Sequence, residues 1–229
     1  MTPLHGYTIV FDLDGTLVDT APDLIRATEH ALGSKGIKVS EPSKLRQSIS
    51  FGARQMIVDA LADAQHAVSD AEIDGLHGTF IEYYVANIAH SSRPYRDAMT
   101  TLQNLRSAGA RLAVCTNKRE MLARALLEAL RMDHFFEAIA GLETFPVSKP
   151  HPGHILGTIQ LAGGDPARAI MVGDSENDVK AARAAGVPVI GFVHGYTDIP
   201  IRDLCPDSVF EEYLELERVI DALLARPAV

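Results

Sequence analysis

The sequence of 229 residues contains no tryptophan, only two cysteines, and fewer basic than acidic residues. Cys115 and Cys205 are too few for a disulfide framework, and they show no metal-binding spacing. The net charge of −9 argues against a nucleic acid as a partner. No apolar run approaches the ~20 residues that a membrane-spanning helix needs, and residues 1–7 lack the features of a signal peptide. We therefore expect a cytoplasmic protein without a membrane partner.

An apolar run at residues 7–11 ends abruptly in acidic residues. The run is β-branched and aromatic, which predicts a buried parallel strand. Asp12 and Asp14 follow it, and two carboxylates this close repel each other unless a cation lies between them. A divalent cation accepts oxygen ligands, so Asp12 and the chain at Asp14 are predicted to hold a metal. Gly15 permits a sharp turn and can present N–H groups to an anion.

The remainder of the chain divides into two regions of different pattern. Residues 20–94 contain no convincing strand, and their apolar spacing predicts helices at residues 21–33, 44–49, 54–65 and 71–88. From residue 97 onward helices alternate with strands, which are predicted at residues 111–116, 138–141, 169–172 and 189–192. This alternation predicts an α/β fold with a doubly wound parallel sheet. We expect a core domain of residues 1–19 and 95–229, with an all-helical domain of residues 20–94 inserted in it.

Polar residues follow two of the predicted strands, at the sheet edge where chemistry collects in such folds. The Thr116 hydroxyl and the N–H of Asn117, at the start of a helix, can hold phosphate oxygens. A simple helix cap is an open alternative for Thr116. Asp174 follows a buried strand and can complete a metal shell, while Asp178 can orient a metal-bound water or a lysine.

The ordered set of motifs resembles the haloacid dehalogenase superfamily of phosphohydrolases. The resembling stretches are Phe-Asp-Leu-Asp-Gly-Thr-Leu-Val-Asp-Thr at residues 11–20, Thr116, Ser148-Lys149, and residues 173–178. The resemblance implies that Asp12 is a nucleophile that forms an aspartyl-phosphate, with Asp14 as acid and base. It also implies that Lys149 neutralises the nucleophile and the phosphoryl group, and that Mg²⁺ is the cofactor.

Within that family the chain is similar to the phosphoglycolate phosphatase branch, on residues 173–186 and 189–196. Residues 94–97, Pro-Tyr-Arg-Asp, depart from the usual Pro-Tyr-Pro-Gly. In this family the helical insert is a cap that selects the substrate. Residues 51–54 resemble the cap loop that approaches the active site, so Arg54 is a candidate for binding a substrate carboxylate or second phosphate. The alternative is an exposed arginine at a helix start.

We expect a magnesium-dependent phosphatase for a small phosphorylated metabolite, with 2-phosphoglycolate as the first candidate. A sugar-phosphate mutase shares the same aspartate pair, and a non-catalytic binding or regulatory protein on this fold is an alternative of another class. Asp14 argues against a dehalogenase, and Arg54 cannot form the Schiff base of a phosphonate hydrolase. His151 and His154 lack the spacing of a transition-metal site and are predicted to cap helices or lie at the surface. The oligomeric state is not predicted.

Overall fold

The computed structural model describes residues 3–226. Its strands are β1 Thr8–Phe11, β2 Val18–Asp19, β3 Arg93–Pro94, β4 Arg111–Cys115, β5 Ala138–Ala140, β6 Ala169–Gly173, β7 Val189–Phe192 and β8 Ser208–Phe210. Its α-helices are α1 Ala21–Gly33, α2 Ala53–Asp63, α3 Asp70–Ala86, α4 Ala98–Ser107, α5 Glu120–Ala129, α6 Pro152–Leu161, α7 Glu176–Ala185 and α8 Tyr213–Leu224. The chain forms two compact units, one of residues up to Val18 and from Pro94 onward, the other of Asp19–Arg93.

The first unit is built on a six-stranded parallel sheet in the order β5-β4-β1-β6-β7-β8. Helices α4 to α8 pack against it, so the predicted α/β class is confirmed. Strand β8 was not predicted, because three residues are too few to show a periodicity. Within residues 3–226, no helix combines the length and the apolar character that crossing a bilayer requires.

Strand β1 occupies a central place in the sheet, between β4 and β6. Phe11 lies opposite Val114 of β4 and Val172 of β6, and all three side chains are fully buried. Because the three strands are parallel and in register, their carboxyl ends meet at one edge. The residues that follow these strands are therefore brought together on a frame buried on both faces.

The second unit is helical. Helices α1, α2 and α3 confirm three of the predicted helices, whereas the one predicted at residues 44–49 is wrong. Two 3₁₀ turns, Pro42–Arg46 and Ile49–Phe51, replace it. A segment this short gains too few i to i−4 hydrogen bonds to offset the cost of helix nucleation. The 3₁₀ turns form i to i−3 bonds instead, and Leu45 and Ile49 are still buried.

A buried carboxylate links the first and last segments of this helical unit. Asp23, in the first turn of α1, accepts hydrogen bonds from the N–H groups of Ser91 at 2.8 Å and Ser92 at 2.7 Å, and from the Ser92 hydroxyl at 2.8 Å. These bonds satisfy the buried charge and fix the segment after α3 against α1. At the other end of α3, Arg54 of α2 pairs with Asp70 at 3.2 Å and Asp74 at 3.4 Å.

Candidate active site

Asp12 is the first residue after β1, and the sheet fixes its main chain. Its N–H donates to the carbonyl of Val172 at 2.9 Å, continuing the ladder between β1 and β6. The residue is 8% exposed, and Lys149 Nζ lies 2.9 Å from its Oδ1. Burial raises the pKa of Asp12 to about 6, and the neighbouring ammonium of Lys149 opposes a larger shift. The carboxylate is therefore ionised at neutral pH and above, which is the state that the expected nucleophilic role of Asp12 requires.

Lys149 bridges two carboxylates in the interior. Besides Asp12 Oδ1, its Nζ contacts Asp178 Oδ1 at 2.6 Å, while only 3% of the lysine is exposed. Burial alone would lower the pKa of Lys149, but the charges of the two aspartates outweigh burial and raise it. The amine therefore stays protonated, and a fixed positive charge lies beside Asp12.

Side chains from two other segments hold the main chain at Lys149. The amide of Asn117 donates to the Lys149 carbonyl at 2.8 Å and accepts from the Lys149 N–H at 3.1 Å. His154 Nδ1 accepts from the same N–H at 3.2 Å, and its Nε2 contacts the Gly141 carbonyl at 3.1 Å. The Asn117 side chain thus positions Lys149, a role separate from the phosphate contact predicted for the Asn117 N–H.

Asp178 connects Lys149 to the start of α7. Its Oδ2 accepts from the N–H of Asp174 at 3.2 Å, from the N–H of Ser175 at 3.0 Å, and from the Ser175 hydroxyl at 2.7 Å. A carboxylate in the first turn of a helix also benefits from the helix dipole. Both oxygens of Asp178 are therefore engaged by the protein, which makes it a support for Lys149.

Asp174 follows β6, and hydrogen bonds orient both of its oxygens. Oδ1 accepts from the Thr16 hydroxyl at 2.5 Å, and Oδ2 accepts from the Tyr196 N–H at 2.8 Å. Burial, together with the charges of Asp12 and Asp178, raises its pKa well above the usual value. A Cβ on Gly195 would lie 2.1 Å from Asp174 Cβ, so only glycine permits this close approach.

A second ion pair lies beside the first. Lys118 Nζ is 3.0 Å from Asp14 Oδ1, with 6% of the lysine side chain and 15% of the aspartate side chain exposed. Lys118 follows β4 by three residues, and its N–H donates to the Thr116 hydroxyl at 3.1 Å. Thr116 therefore caps this turn through its oxygen, and its hydroxyl hydrogen can still be donated to a ligand.

The charges of the site suit a hard divalent cation. Oxygens of Asp12, Asp174 and Asp178 lie within 4.8 Å of one another. Counting Asp14, the site holds four acidic side chains and the two ammonium groups of Lys118 and Lys149, so its acidic groups outnumber its basic ones by two. The donors are all oxygens, the ligands that Mg²⁺ prefers, so the residues fit such an ion.

Comparison with known proteins agrees with this geometry. The family described as haloacid dehalogenase-like hydrolase matches residues 9–192. The chain belongs to this family. It is 47% identical to a phosphoglycolate phosphatase of Agrobacterium fabrum (strain C58) over 207 residues, which cover 90% of this chain and 89% of that protein.

Two further relatives of this haloacid dehalogenase-like hydrolase span nearly the whole chain. A phosphoglycolate phosphatase of Mesorhizobium japonicum is 43% identical, with 96% of this chain and 97% of that protein covered. The crystal structure of a predicted phosphoglycolate phosphatase from Haemophilus somnus 129pt has a TM-score of 0.88 at 32% identity, covering 95% of this chain and 98% of that one. The family and branch predicted from the sequence are confirmed, and so is the prediction that the chain is a hydrolytic enzyme.

The other two predicted site residues of this hydrolase are Gly15, which lies in a tight turn, and Arg54, which makes ion pairs. Gly15 has φ of +83°, and its N–H donates to the Val18 carbonyl at 3.0 Å. A Cβ there would lie 2.7 Å from Asp174 Oδ2, so glycine keeps the space beside that carboxylate open. Arg54 lies in the helical unit, where its half-exposed side chain makes the ion pairs with Asp70 and Asp74.

Sequence reasoning missed several residues that support the site in this hydrolase. They are Thr16, Lys118, His154, Ser175 and Tyr196. The prediction of a surface or helix-cap role is wrong for His154, which is fully buried, whereas His151 does cap α6 by accepting from the Gly153 N–H. Lys118 follows directly on the candidate phosphate-binding pair Thr116-Asn117. The stretches at residues 11–20, 173–178 and 189–196, which carry the family resemblance, include Thr16, Ser175 and Tyr196.

Proposed function

We propose that this hydrolase is a magnesium-dependent phosphatase that cleaves a small phosphorylated carboxylic acid, with 2-phosphoglycolate as the first candidate. One observation carries the proposal. A buried carboxylate, Asp12, lies at the end of the central strand with a protonated lysine 2.9 Å away and with Asp174 beside it. The names of the closely similar relatives support the substrate.

In the proposed reaction an oxygen of Asp12 attacks the phosphorus of the monoester. The bond from phosphorus to the alkoxide oxygen breaks, and Asp14 delivers a proton to that oxygen. The product alcohol leaves an aspartyl-phosphate on Asp12. Asp14 then removes a proton from water, which attacks the phosphorus, releases inorganic phosphate and restores the Asp12 carboxylate.

The other residues neutralise negative charge and orient the phosphoryl group. Lys149 offsets the negative charge of Asp12 and of the incoming phosphoryl group, so that two anions can approach each other. The Thr116 hydroxyl donates to a phosphoryl oxygen, assisted by the N–H of Asn117 at the start of the following turn. Uncatalysed hydrolysis of phosphate monoesters needs acceleration by up to ~10²¹-fold, so several cooperating groups are required.

A magnesium ion would be held by Asp12, Asp174 and the chain at Asp14. When bound, it supplies neutralisation of charge on the phosphoryl oxygens. Thr16 and Tyr196 orient Asp174 for this role, since each donates to one of its oxygens. Asp178 contributes indirectly, because it fixes both Lys149 and the first turn of α7.

A small acid substrate presents a carboxylate at the end remote from the phosphoryl group. We propose that Arg54 of the helical cap is its ligand, because a guanidinium binds carboxylates in bidentate fashion. Gly52, with φ of +90° and open space around its Cβ position, begins the helix that carries Arg54. The ion pairs to Asp70 and Asp74 are exposed, so their exchange for a substrate carboxylate costs little.

Phosphate release from a panel of small phosphorylated metabolites tests the proposal. We expect 2-phosphoglycolate to be turned over best, activity to vanish with a chelator and to return with Mg²⁺, and Ca²⁺ to inhibit because it is larger and less strictly octahedral. Asp174→Asn is the matched variant, with similar shape and one charge fewer, and it should need far more Mg²⁺. Full activity in excess chelator, or transfer of phosphate between sugar positions without release, would contradict the proposal.

A further inference from the structure

The pair of Lys118 and Asp14 joins two loops that are 104 residues apart in the sequence. Lys118 lies in the loop after β4, and Asp14 lies in the loop after β1. Their charged atoms are 3.0 Å apart in a largely buried setting. We propose that Lys118 is the positioning residue of Asp14, holding its carboxylate where the acid and base steps occur. This inference rests on the proposed function, in which Asp14 performs both proton transfers.

The lysine is presented by a rigid loop. Its N–H is bound to the Thr116 hydroxyl at 3.1 Å, and its carbonyl accepts from the Leu142 N–H at 2.9 Å. Gly141 packs so closely that a Cβ there would lie 2.7 Å from the Lys118 carbonyl oxygen. Hydrogen bonds fix the main chain of Lys118 on both sides, so its side chain starts from a fixed point. A residue that positions another must itself be held in place in this way.

Asp14 needs such a partner because its neighbour carries the same charge. The charge of Asp14 is among the influences that raise the pKa of Asp12, so the two carboxylates repel each other. Asp14 is attached through freely rotating single bonds, and repulsion would turn it away from the reaction centre. The attraction of Lys118 opposes that rotation. Lys149 acts in the same way on Asp12, since its ammonium lies 2.9 Å from Asp12 Oδ1. Each of the two reacting carboxylates thus has its own lysine.

Another role is conceivable for a cation at this place, namely binding the carboxylate of the substrate. The two roles predict different kinetics. A positioning residue acts through Asp14 and lowers kcat on every phosphate monoester, whereas a ligand of the substrate raises KM only for substrates that carry a carboxylate. The comparison of 2-phosphoglycolate with p-nitrophenyl phosphate, which has no carboxylate, therefore separates them.

The experiment compares Lys118→Met with wild type, Lys118→Arg, Asp14→Asn and the double variant Asp14→Asn/Lys118→Met. We expect Lys118→Met to lower kcat about ten- to a hundredfold on both substrates, with KM changed by less than about threefold. Lys118→Arg keeps the charge and should recover part of the loss. In the Asp14→Asn background, removal of Lys118 should have no further effect beyond about twofold. The control is Lys44→Met, which removes an exposed lysine paired with Glu41 at 2.9 Å.

A transient measurement adds a readout that a merely structural role would not give. Nitrophenolate is a good leaving group and leaves without a proton, whereas hydrolysis of the aspartyl-phosphate still needs Asp14 as base. Lys118→Met should therefore release a burst of nitrophenolate equal to the enzyme concentration, followed by slow turnover. Rapid-quench samples should contain phosphate bound covalently to the protein.

Several results would overturn the assignment. A rise in KM confined to 2-phosphoglycolate would make Lys118 a ligand of the substrate, and independent losses in the double variant would show that it does not act through Asp14. If Lys118→Met alone is unstable, the double variant decides, because it removes both charges and leaves neither buried alone. Wild-type protein that hydrolyses neither substrate would refute the proposed function and this inference together, whereas activity on p-nitrophenyl phosphate alone refutes only the substrate.

Discussion

The ammonium of Lys149 lies 2.6 Å from Oδ1 of Asp178, and both side chains are almost completely buried. A buried ion pair is weak evidence for stability, because desolvation of both charges opposes their attraction. Removal of one partner is nevertheless costly, since it leaves the other charge buried without compensation. This pair therefore makes the position of the charge beside Asp12 depend on the start of α7, the helix that follows Asp174.

Asp178→Asn should lower both stability and activity. The variant keeps the size of the side chain but loses the charge that faces Lys149 and weakens the bonds from the N–H groups of Asp174 and Ser175. Lost hydrogen bonds to a charged group cost about 1.5–3 kcal/mol, so we expect a loss of about 2 kcal/mol in the free energy of unfolding. Relief of repulsion among the aspartates acts in the opposite direction. Urea unfolding measures the net effect. An unchanged midpoint would show that relief of repulsion cancels the loss, and a raised midpoint would show that repulsion dominates.

His154 should make stability depend on pH. Burial, assisted by the charge of Lys149, lowers the pKa of His154 to about 4. The unfolded chain, with an ordinary value near 6.5, therefore binds a proton that the folded protein does not. Stability from this residue is complete above pH ~6.5 and is lost as the pH falls toward 4, by at most about 3 kcal/mol.

The variant His154→Asn cannot take up this proton, and its amide oxygen can still accept from the Lys149 N–H. The difference in unfolding free energy between wild type and variant should therefore shrink as the pH falls from 7 to 4. His66→Asn, at an exposed position, serves as the control for loss of a histidine. A difference that stays constant over this pH range would show that His154 titrates normally.

The sequence predicted the sheet and its reactive edge because these depend on local patterns. Apolar runs define β1, β4 and β6, and the polar residues directly after each run indicate what lies at the edge. A parallel sheet then brings those residues together by topology alone. The helix predicted at residues 44–49 is wrong because its local pattern does not decide its structure. So short a segment adopts the turns that let it bury Leu45 and Ile49.

The roles of Thr16, Lys118 and Tyr196 could not be predicted because their contacts join segments that are far apart in the sequence. Lys118 is a lysine at a helix start in the sequence, where a solvated side chain is the ordinary expectation. Its contact with Asp14 requires that β1 and β4 be neighbours. His154 lies only five residues from Lys149, but no periodicity or spacing in the sequence indicates a bond between its ring and the Lys149 N–H. Such contacts arise from tertiary packing of irregular loops, which sequence patterns do not encode locally.

Arg54→Ala should alter substrate preference more than general activity. Loss of a charged hydrogen bond to the substrate carboxylate should lower kcat/KM for 2-phosphoglycolate about ten- to a hundredfold. p-Nitrophenyl phosphate should be spared because it has no carboxylate. Asp70→Asn is the matched control, since it breaks an ion pair of Arg54 within the cap and keeps the guanidinium. Equal losses on both substrates would assign Arg54 to the structure of the cap instead.

Attack of Asp12 on phosphorus is tested by the turnover of Asp12→Asn. The neutral amide fills the same space and cannot form an aspartyl-phosphate, so we expect a folded variant that binds 2-phosphoglycolate but releases no phosphate above the background rate. Removal of one charge from four neighbouring carboxylates should leave its melting temperature at or above that of wild type. Substantial phosphate release by a verified Asp12→Asn preparation, free of wild-type enzyme, would contradict the covalent mechanism.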